Sequence, residues 1–354
     1  MAGERSDEHF MRAALAEAEK GLGRTSPNPA VGAVLTIGNR IVARGHHAAA
    51  GGPHAEIVCL WKFGRQVPPE AMLYVTLEPC STSGRTPPCS AAVIDAGVRH
   101  VVIGALDVNP RHNGRAVAQF QSAGVAVRTG VLAAECQRLN EAFNKWIVTR
   151  RPFVIAKCAM SLDGRLTRPR RESRWLSDAA ARRHAHELRA QVDAILIGAG
   201  TLRSDNPRLT VRGSGRSKQP WRVVLTRSGN LPKSARLFAD QWAHRTRVYQ
   251  GQSLRAVLGE LGRDEITSVL LEGGGDLLGQ ALDARLIDKV QVYITPWLTG
   301  GEVPAFGGRG AVTAISAARL RDITYSRVGN AVYLIGYADK GRDKKDETLN
   351  ALNG

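Results

Sequence analysis

Three side chains in the first quarter of the sequence could share one metal ion: His54, Cys80 and Cys89. A histidine and two thiolates suit zinc, and three protein ligands leave a fourth tetrahedral position for water. Glu56, two residues after the histidine, is placed to take that water's proton and pass it on. Two further residues nearby have useful chemistry. Asn28, bracketed by Pro27 and Pro29, could contact a polar heterocycle, and the Arg85 guanidinium could grip a phosphate through two hydrogen bonds. His46 and His47 precede the motif, and one of them could line a pocket, with packing or surface roles equally open. A different chemistry is suggested in the second half. Leu271 to Leu277 joins a strand end, a glycine run and a helix start, where backbone N–H groups can cradle a phosphate. It is not a Gly-x-Gly-x-x-Gly turn with a following acidic residue, so a Rossmann domain is not expected.

The elements that must position these residues follow from periodicity. Phe10, Met11, Ala14, Leu15 and Ala18 recur at helical spacing, which predicts a helix over Asp7 to Lys20. Val31 to Ile37 and Ile41 to Arg44 form a hairpin at Gly38-Asn39. A helix from Pro53 to about Lys62 carries His54 and Glu56 in its first turn, and strand Met72 to Leu77 delivers Glu78-Pro79-Cys80. Each cysteine ligand is expected to open a helix, whose positive end favours thiolate. Glu78 is expected to bond backbone near the cysteine loop. Further helices are predicted at Cys89 to Ala96, Arg115 to Ser122 and Ala133 to Trp146, and strands at Val101 to Ala105 and Val125 to Arg128. The alternation predicts an α/β sandwich over residues 1–148. Residues 149–152 read as a linker, 153–339 as a second α/β domain and 340–354 as a disordered tail with little to bury. In that second domain, strands are expected at Phe153 to Ala159, Ala194 to Gly198, Trp221 to Thr226, Val269 to Leu271, Val290 to Thr295 and Ala331 to Tyr337. Helices are expected at Asp178 to Ala190 and Leu277 to Leu286, a charged loop at Arg168 to Arg171 and a flexible surface loop at Gly213 to Gln219.

Composition narrows the function classes. The chain has 354 residues, enough for two cores, with 43% apolar residues but no run long enough to span a bilayer. Its polar, acidic start is unlike a secretory signal, and five cysteines do not suggest a disulfide framework, so a reducing cytoplasm is the expected compartment. The net charge is +17; residues 1–150 hold 16 Lys/Arg against 12 Asp/Glu, leaving 33 against 20 in the remainder. The excess therefore lies outside the metal half. With aromatics at 5% and no basic–aromatic interleaving, it points to phosphorylated metabolites rather than nucleic acid. No membrane partner is expected, and a homo-oligomer is left open.

His-x-Glu, then Pro-Cys and a second cysteine, is the pattern of zinc-dependent base deaminases, in which two residues ordinarily separate the cysteines. Here eight residues, Ser81 to Pro88, lie between them. Glu78-Pro79-Cys80-Ser81 followed by Gly84-Arg85-Thr86-Pro87-Pro88-Cys89 resembles the deaminase half of the bifunctional riboflavin-biosynthesis deaminase/reductase family. The second half carries, in order, Lys157, Ser161-Leu162-Asp163-Gly164, Trp175, Asp193-Ala194-Ile195, Thr201, Asp205-Asn206-Pro207, Leu209-Thr210-Val211-Arg212 and Glu272-Gly273-Gly274, which resemble the reductase half. The resemblance runs from about Asp7 to about Ala338. It implies a cytidine-deaminase-like α/β/α sandwich followed by a dihydrofolate-reductase-like α/β domain that uses NADPH.

The resemblance further implies one zinc per chain on His54, Cys80 and Cys89, with Glu56 as proton shuttle. It implies NADPH contacts at Ala159, Trp175, Thr201, Asp205 and Gly274, Gly275, Asp276, Leu277 and Leu278. Substrate contacts are implied at Ser173, Arg189, Leu209, Arg212 and Glu272, beside Asn28 and Arg85 in the first half. The implied activities are hydrolytic deamination of 2,5-diamino-6-(ribosylamino)pyrimidinone 5′-phosphate, then reduction of the ribosyl chain to ribityl. Three departures from the family pattern affect fine contacts: Thr82 and Ser83 where histidines are common, Val108 where proline is usual, and Arg227 at a position commonly serine. A nucleoside or tRNA base deaminase with an appended nucleotide-binding domain shares the zinc and Glu56 but leaves the second half without a role. A regulatory protein with a structural zinc would have no need of Glu56.

Overall fold

The computed structural model describes residues 2–64, 66–82, 88–166, 175–212 and 218–339. Arg85, Ser173, the loop Arg168 to Arg171, most of Gly213 to Gln219 and the tail from residue 340 lie outside them. The chain divides into two units, Met1–Arg151 and Pro152–Gly354.

The first unit runs α1 (Ala2–Glu19), β1 (Gly32–Ile37), β2 (Arg40–His46), α2 (Ala55–Phe63), β3 (Ala71–Leu77), α3 (Cys89–Asp95), β4 (His100–Ala105), α4 (Arg115–Ser122), β5 (Ala126–Thr129), α5 (Ala133–Leu139) and α6 (Glu141–Thr149). Its sheet has the order β2-β1-β3-β4-β5. β1 is antiparallel to β2 and β3, while β3, β4 and β5 are parallel. Alternation along the strands separates two cores. Val34, Tyr74 and Val102 face Phe10, Met11 and Ala14 of α1. Leu35, Leu73, Val75 and Ile103 face Ala55 and Cys59 of α2, Val93 of α3 and Phe120 of α4. Gly45 lets α2 close on β2, because a Cβ there would lie 2.2 Å from the Ala55 carbonyl oxygen. That close approach sets the helix start carrying the candidate metal ligand.

Three local expectations are corrected. His54 does not lie in the first turn of α2; it precedes the helix in an extended conformation, φ −73° and ψ 163°. Cys80 opens no helix, since only Cys89 does. The N–H of Cys89 points at Cys80 Sγ, 3.3 Å away, so one helix start serves both sulfurs. The long helix over Ala133 to Trp146 is broken at Asn140. Its side-chain amide both accepts from the Ala30 N–H and donates to the Ala30 carbonyl, at 2.8 and 2.9 Å. This pins the loop that carries Asn28.

The second unit runs β6 (Phe153–Ser161), α7 (Ala179–Arg189), β7 (Ala194–Gly198), α8 (Ala199–Asp205), β8 (Trp221–Thr226), α9 (Arg236–Ala239), β9 (Thr246–Gln250), α10 (Leu254–Arg263), β10 (Ser268–Leu271), α11 (Gly275–Asp283), β11 (Lys289–Thr295), β12 (Arg319–Val328) and β13 (Ala331–Asp339). The eight strands order β12-β13-β11-β6-β10-β7-β8-β9. β11 through β9 are parallel, with β13 and β12 antiparallel at one edge. α10 and α11 cover one face through Val257, Leu261, Leu278 and Ala281. The opposite face holds Leu202 of α8 and Leu237 of α9 in one cluster, and Ala181 and Leu188 of α7 in another. No helix among the described residues is long and apolar enough to cross a membrane.

Candidate active sites

His54, Cys80 and Cys89 come together although they leave three different elements. Their donor atoms all lie within 4.8 Å of one another. His54 Nδ1 stands 3.2 Å from Cys89 Sγ and 3.6 Å from Cys80 Sγ. With bond lengths of about 2.0–2.3 Å, donors at these separations can share one zinc. The two thiols compete for one proton: the hydrogen bond from Cys89, with His54 adding to it, holds Cys80 low, and the same bond pushes Cys89 up. That is the behaviour of a site built for positive charge.

Glu56 occupies the first turn of α2 and is 2% exposed. Its Oε2 is buried and has no hydrogen-bond partner among the described residues. An unmet carboxylate oxygen beside a nitrogen–sulfur donor set fits a bound ion and its water. Burial pushes the Glu56 carboxyl up to about 7, with His54 opposing the rise. A carboxyl in that range can accept and return a proton. Asn28 reaches the site through a histidine. His47 Nδ1 is 3.0 Å from the Pro53 carbonyl, which fixes it as the donor and leaves Nε2 to accept from Asn28 Nδ2 at 3.3 Å. The His47 ring then stands edge-on to His54, 5.2 Å between centroids. Glu78 is structural, as its position suggests. Its carboxylate accepts the N–H groups of Asp107, Gly114 and Ala116 at 3.2, 2.9 and 3.0 Å, tying the loop before α4 to the end of β3.

The second unit holds a cleft of about 1550 Å3 at the carboxyl ends of its parallel strands. Ala159, Trp175, Thr201, Asp205, Gly274, Gly275, Asp276 and Leu277 line it, as do Arg189, Leu209, Arg212 and Glu272. Leu278 does not; it is fully buried in the core beneath α11. Thr201 Oγ1 accepts the Gly274 N–H at 3.0 Å and so clips α8 to the glycine turn. Gly275 is required by packing, because a Cβ there would lie 2.2 Å from the Pro304 carbonyl oxygen. Gly275→Ala should therefore destabilise this unit by about 1–3 kcal/mol, the range for overpacking. A lowered second-unit transition in thermal unfolding, with the first unit's transition unchanged, is the expected result.

Charge in the cleft is arranged around one carboxylate. Arg189 donates to Glu272 through Nε at 2.6 Å and Nη2 at 2.8 Å, and Lys157 Nζ is 3.7 Å away. Burial alone would raise the Glu272 carboxyl, but Arg189 and Lys157 outweigh it and hold it at about 2. Arg212 lies at the rim, its Nη2 3.1 Å from His186 Nε2. Arginine is donor-only, so this imidazole accepts and is neutral. Burial, Arg189 and Arg212 agree, holding His186 down at about 4. Sequence reasoning missed His186, Tyr293 and the 302–304 segment of the cleft wall, which carry no motif. It also missed α8, the seat of Thr201 and Asp205.

Fold and sites together define a class: a two-unit enzyme with a zinc deaminase domain followed by a reductase domain. A family model of the cytidine and deoxycytidylate deaminase zinc-binding region matches residues 4–105, and one of the RibD C-terminal domain matches residues 152–334. The riboflavin biosynthesis protein RibD of Synechocystis is 38% identical over 365 residues, covering 95% of this chain and 99% of its own length. That of Escherichia coli is 36% identical over 348 residues, covering 89% and 93%. Among solved structures, a diaminohydroxyphosphoribosylaminopyrimidine deaminase/5-amino-6-(5-phosphoribosylamino)uracil reductase from Thermotoga maritima superposes with a TM-score of 0.86 at 35% identity, covering 95% of this chain and all of its own. Acinetobacter baumannii RibD gives 0.86 at 32% identity with the same coverage. The chain belongs to the RibD family of bifunctional deaminases and reductases of riboflavin biosynthesis. It is both a hydrolase and an oxidoreductase, with a cytidine-deaminase-like first domain and a RibD reductase domain as its second.

Proposed function

We propose that the first unit deaminates 2,5-diamino-6-(ribosylamino)pyrimidinone 5′-phosphate and that the second reduces 5-amino-6-(5-phosphoribosylamino)uracil with NADPH. The observation that carries the first assignment is the buried Glu56 oxygen, without a hydrogen-bond partner among the described residues, in the same site as three clustered metal donors. His54, Cys80 and Cys89 hold zinc, which when bound lets water lose a proton near neutral pH. Glu56 takes that proton at its free oxygen and delivers it to the departing amino nitrogen. Asn28, steadied by His47, meets the polar ring, and Arg85 takes the phosphate.

In the second unit NADPH supplies the hydride. The start of α11 opens on the cleft and offers the positive end of its dipole to the cofactor phosphates, with Gly274 to Leu277, Ala159, Trp175, Thr201 and Asp205 completing the cofactor site. Arg212 takes the sugar phosphate with Ser173 and Leu209. Glu272 holds Arg189 and Lys157 in place and keeps lone pairs for ribose hydroxyls. Each hydride added to carbon requires a proton on the neighbouring heteroatom, and the Lys157 ammonium, inside the cleft, supplies it.

Purified protein should contain one zinc per chain, and a Cys80→Ala/Cys89→Ala double variant should contain none. Elemental analysis decides: full zinc retention by the double variant would remove these ligands from the site.

A further inference from the structure

Lys157 needs a second restraint besides Glu272. At 3.7 Å from the carboxylate it makes no short hydrogen bond, because Arg189 already occupies Glu272. A lysine on a flexible stem would ordinarily wander. The restraint comes from β11. Gln291 stands opposite Lys157 and Tyr293 opposite Ala159, so Lys157 and Tyr293 project from the same face of the sheet. The Lys157 ammonium lies 5.9 Å from the Tyr293 ring centroid, within cation–π range. Tyr293 itself is 1% exposed yet forms part of the cleft wall. Its orientation is locked from behind. His184 of α7 meets its hydroxyl at 2.7 Å through Nδ1, and Tyr333 packs on its ring at 4.8 Å and 33°. His184 also stands edge-on to Tyr333, with centroids 4.8 Å apart.

We propose that Tyr293, fixed by His184, is a positioning residue for the reduction: its ring face holds the Lys157 ammonium where the substrate must receive a proton. Tyr293 touches neither hydride nor substrate heteroatom; it acts through Lys157. The inference rests on the reading of Lys157 as proton source, and the test separates the two.

Reduction of supplied deaminated substrate is followed in Tyr293→Leu, Tyr293→Phe, Lys157→Met and the Lys157→Met/Tyr293→Leu double variant, with NADPH affinity measured by fluorescence titration. Tyr293→Leu should lower kcat about tenfold, the loss expected for a desolvated cation–π contact, with NADPH affinity within about twofold of wild type. Tyr293→Phe keeps the ring and should lose less than about threefold. In the Lys157→Met background the leucine change should add nothing, because a residue acting through Lys157 has no effect without it. Should Tyr293→Leu fail to fold, His184→Leu at the part-exposed helix position replaces it in the same cycle, with a smaller loss that also vanishes without Lys157.

A readout independent of turnover comes from protein labelled with 13C at the lysine ε-carbon. The peak missing from Lys157→Met should be shifted upfield by the ring, stay shifted in Tyr293→Phe and join the other lysines in Tyr293→Leu. An unshifted Lys157 peak in wild type, or equal slowing by the leucine change with and without Lys157, overturns the positioning role alone. Normal reduction by Lys157→Met overturns the proton-source reading and the proposal with it.

Discussion

Glu56→Gln should bind zinc and release no ammonia. The substitution is isosteric and leaves His54, Cys80 and Cys89 intact, so metal content should match wild type. What disappears is the carboxylate oxygen buried in the metal site with no hydrogen-bond partner among the described residues. A glutamine amide cannot take a proton at neutral pH, and general acid–base groups contribute about 10²–10⁴ in rate. Ammonia release should fall by at least that factor, because Glu56 serves both to accept and to return the proton. Burial raises its carboxyl, which favours holding the proton until it is returned. Reduction of separately supplied deaminated product should continue unchanged, since every described residue lining the second unit's cleft belongs to that unit. Near-normal ammonia release, measured by coupled assay on zinc-loaded protein, would take Glu56 out of the mechanism.

Glu272→Ala should abolish reduction and weaken the second unit while ammonia release continues. The side chain is 9% exposed and is the shared anion for Arg189 and Lys157. Removing one partner of a buried pair leaves uncompensated charge, at a cost of about 3–5 kcal/mol. Two stranded cations would also repel and move away from the substrate. The carboxyl sits at about 2 against an ordinary glutamate value of 4.5, so its folded form is depressed. The sign follows: the stabilisation is complete above pH 4.5 and is lost as pH falls toward 2. The displacement corresponds to about 3 kcal/mol. Wild type should therefore lose second-unit stability steeply over that window, and Glu272→Ala should lack the loss. Urea unfolding between pH 2.5 and 6, monitored on the second unit, checks it; parallel curves for the two proteins would deny Glu272 this role.

The metal site was legible because its chemistry is written in residue types. His-x-Glu opens α2 and Pro-Cys follows β3, so one helix and one strand separate the two motifs, and the expected start of β3 lies within one residue of the observed one. What was missed there is geometric. Nothing in the sequence says that Asn140 would turn away from helix to hold Ala30, or that Cys80 would borrow the N–H of Cys89. In the second half, β7 and β8 have the expected bounds, because both are short apolar runs edged by turn residues. α10 carries a signal in the sequence that the expected elements do not include: Leu254, Val257, Leu258 and Leu261 repeat at helical spacing behind a Ser253 cap. α8 and β12 are different. α8 follows β7 without a linker and contains Gly200, and β12 is an exposed edge strand whose residues show no apolar alternation. The charge cluster of Glu272 depends on three separate elements meeting, so single residues could be named from family likeness but their mutual pairing could not.

The two-reaction account is tested most directly by giving the wild-type enzyme the diaminopyrimidine ribosyl phosphate with and without NADPH, and following ammonia and NADPH separately. Ammonia should appear at the same rate in both, and NADPH should be consumed only after ammonia release, one per ammonia. NADPH consumption that precedes or outruns ammonia, or ammonia release that requires NADPH, would contradict two consecutive reactions at two sites.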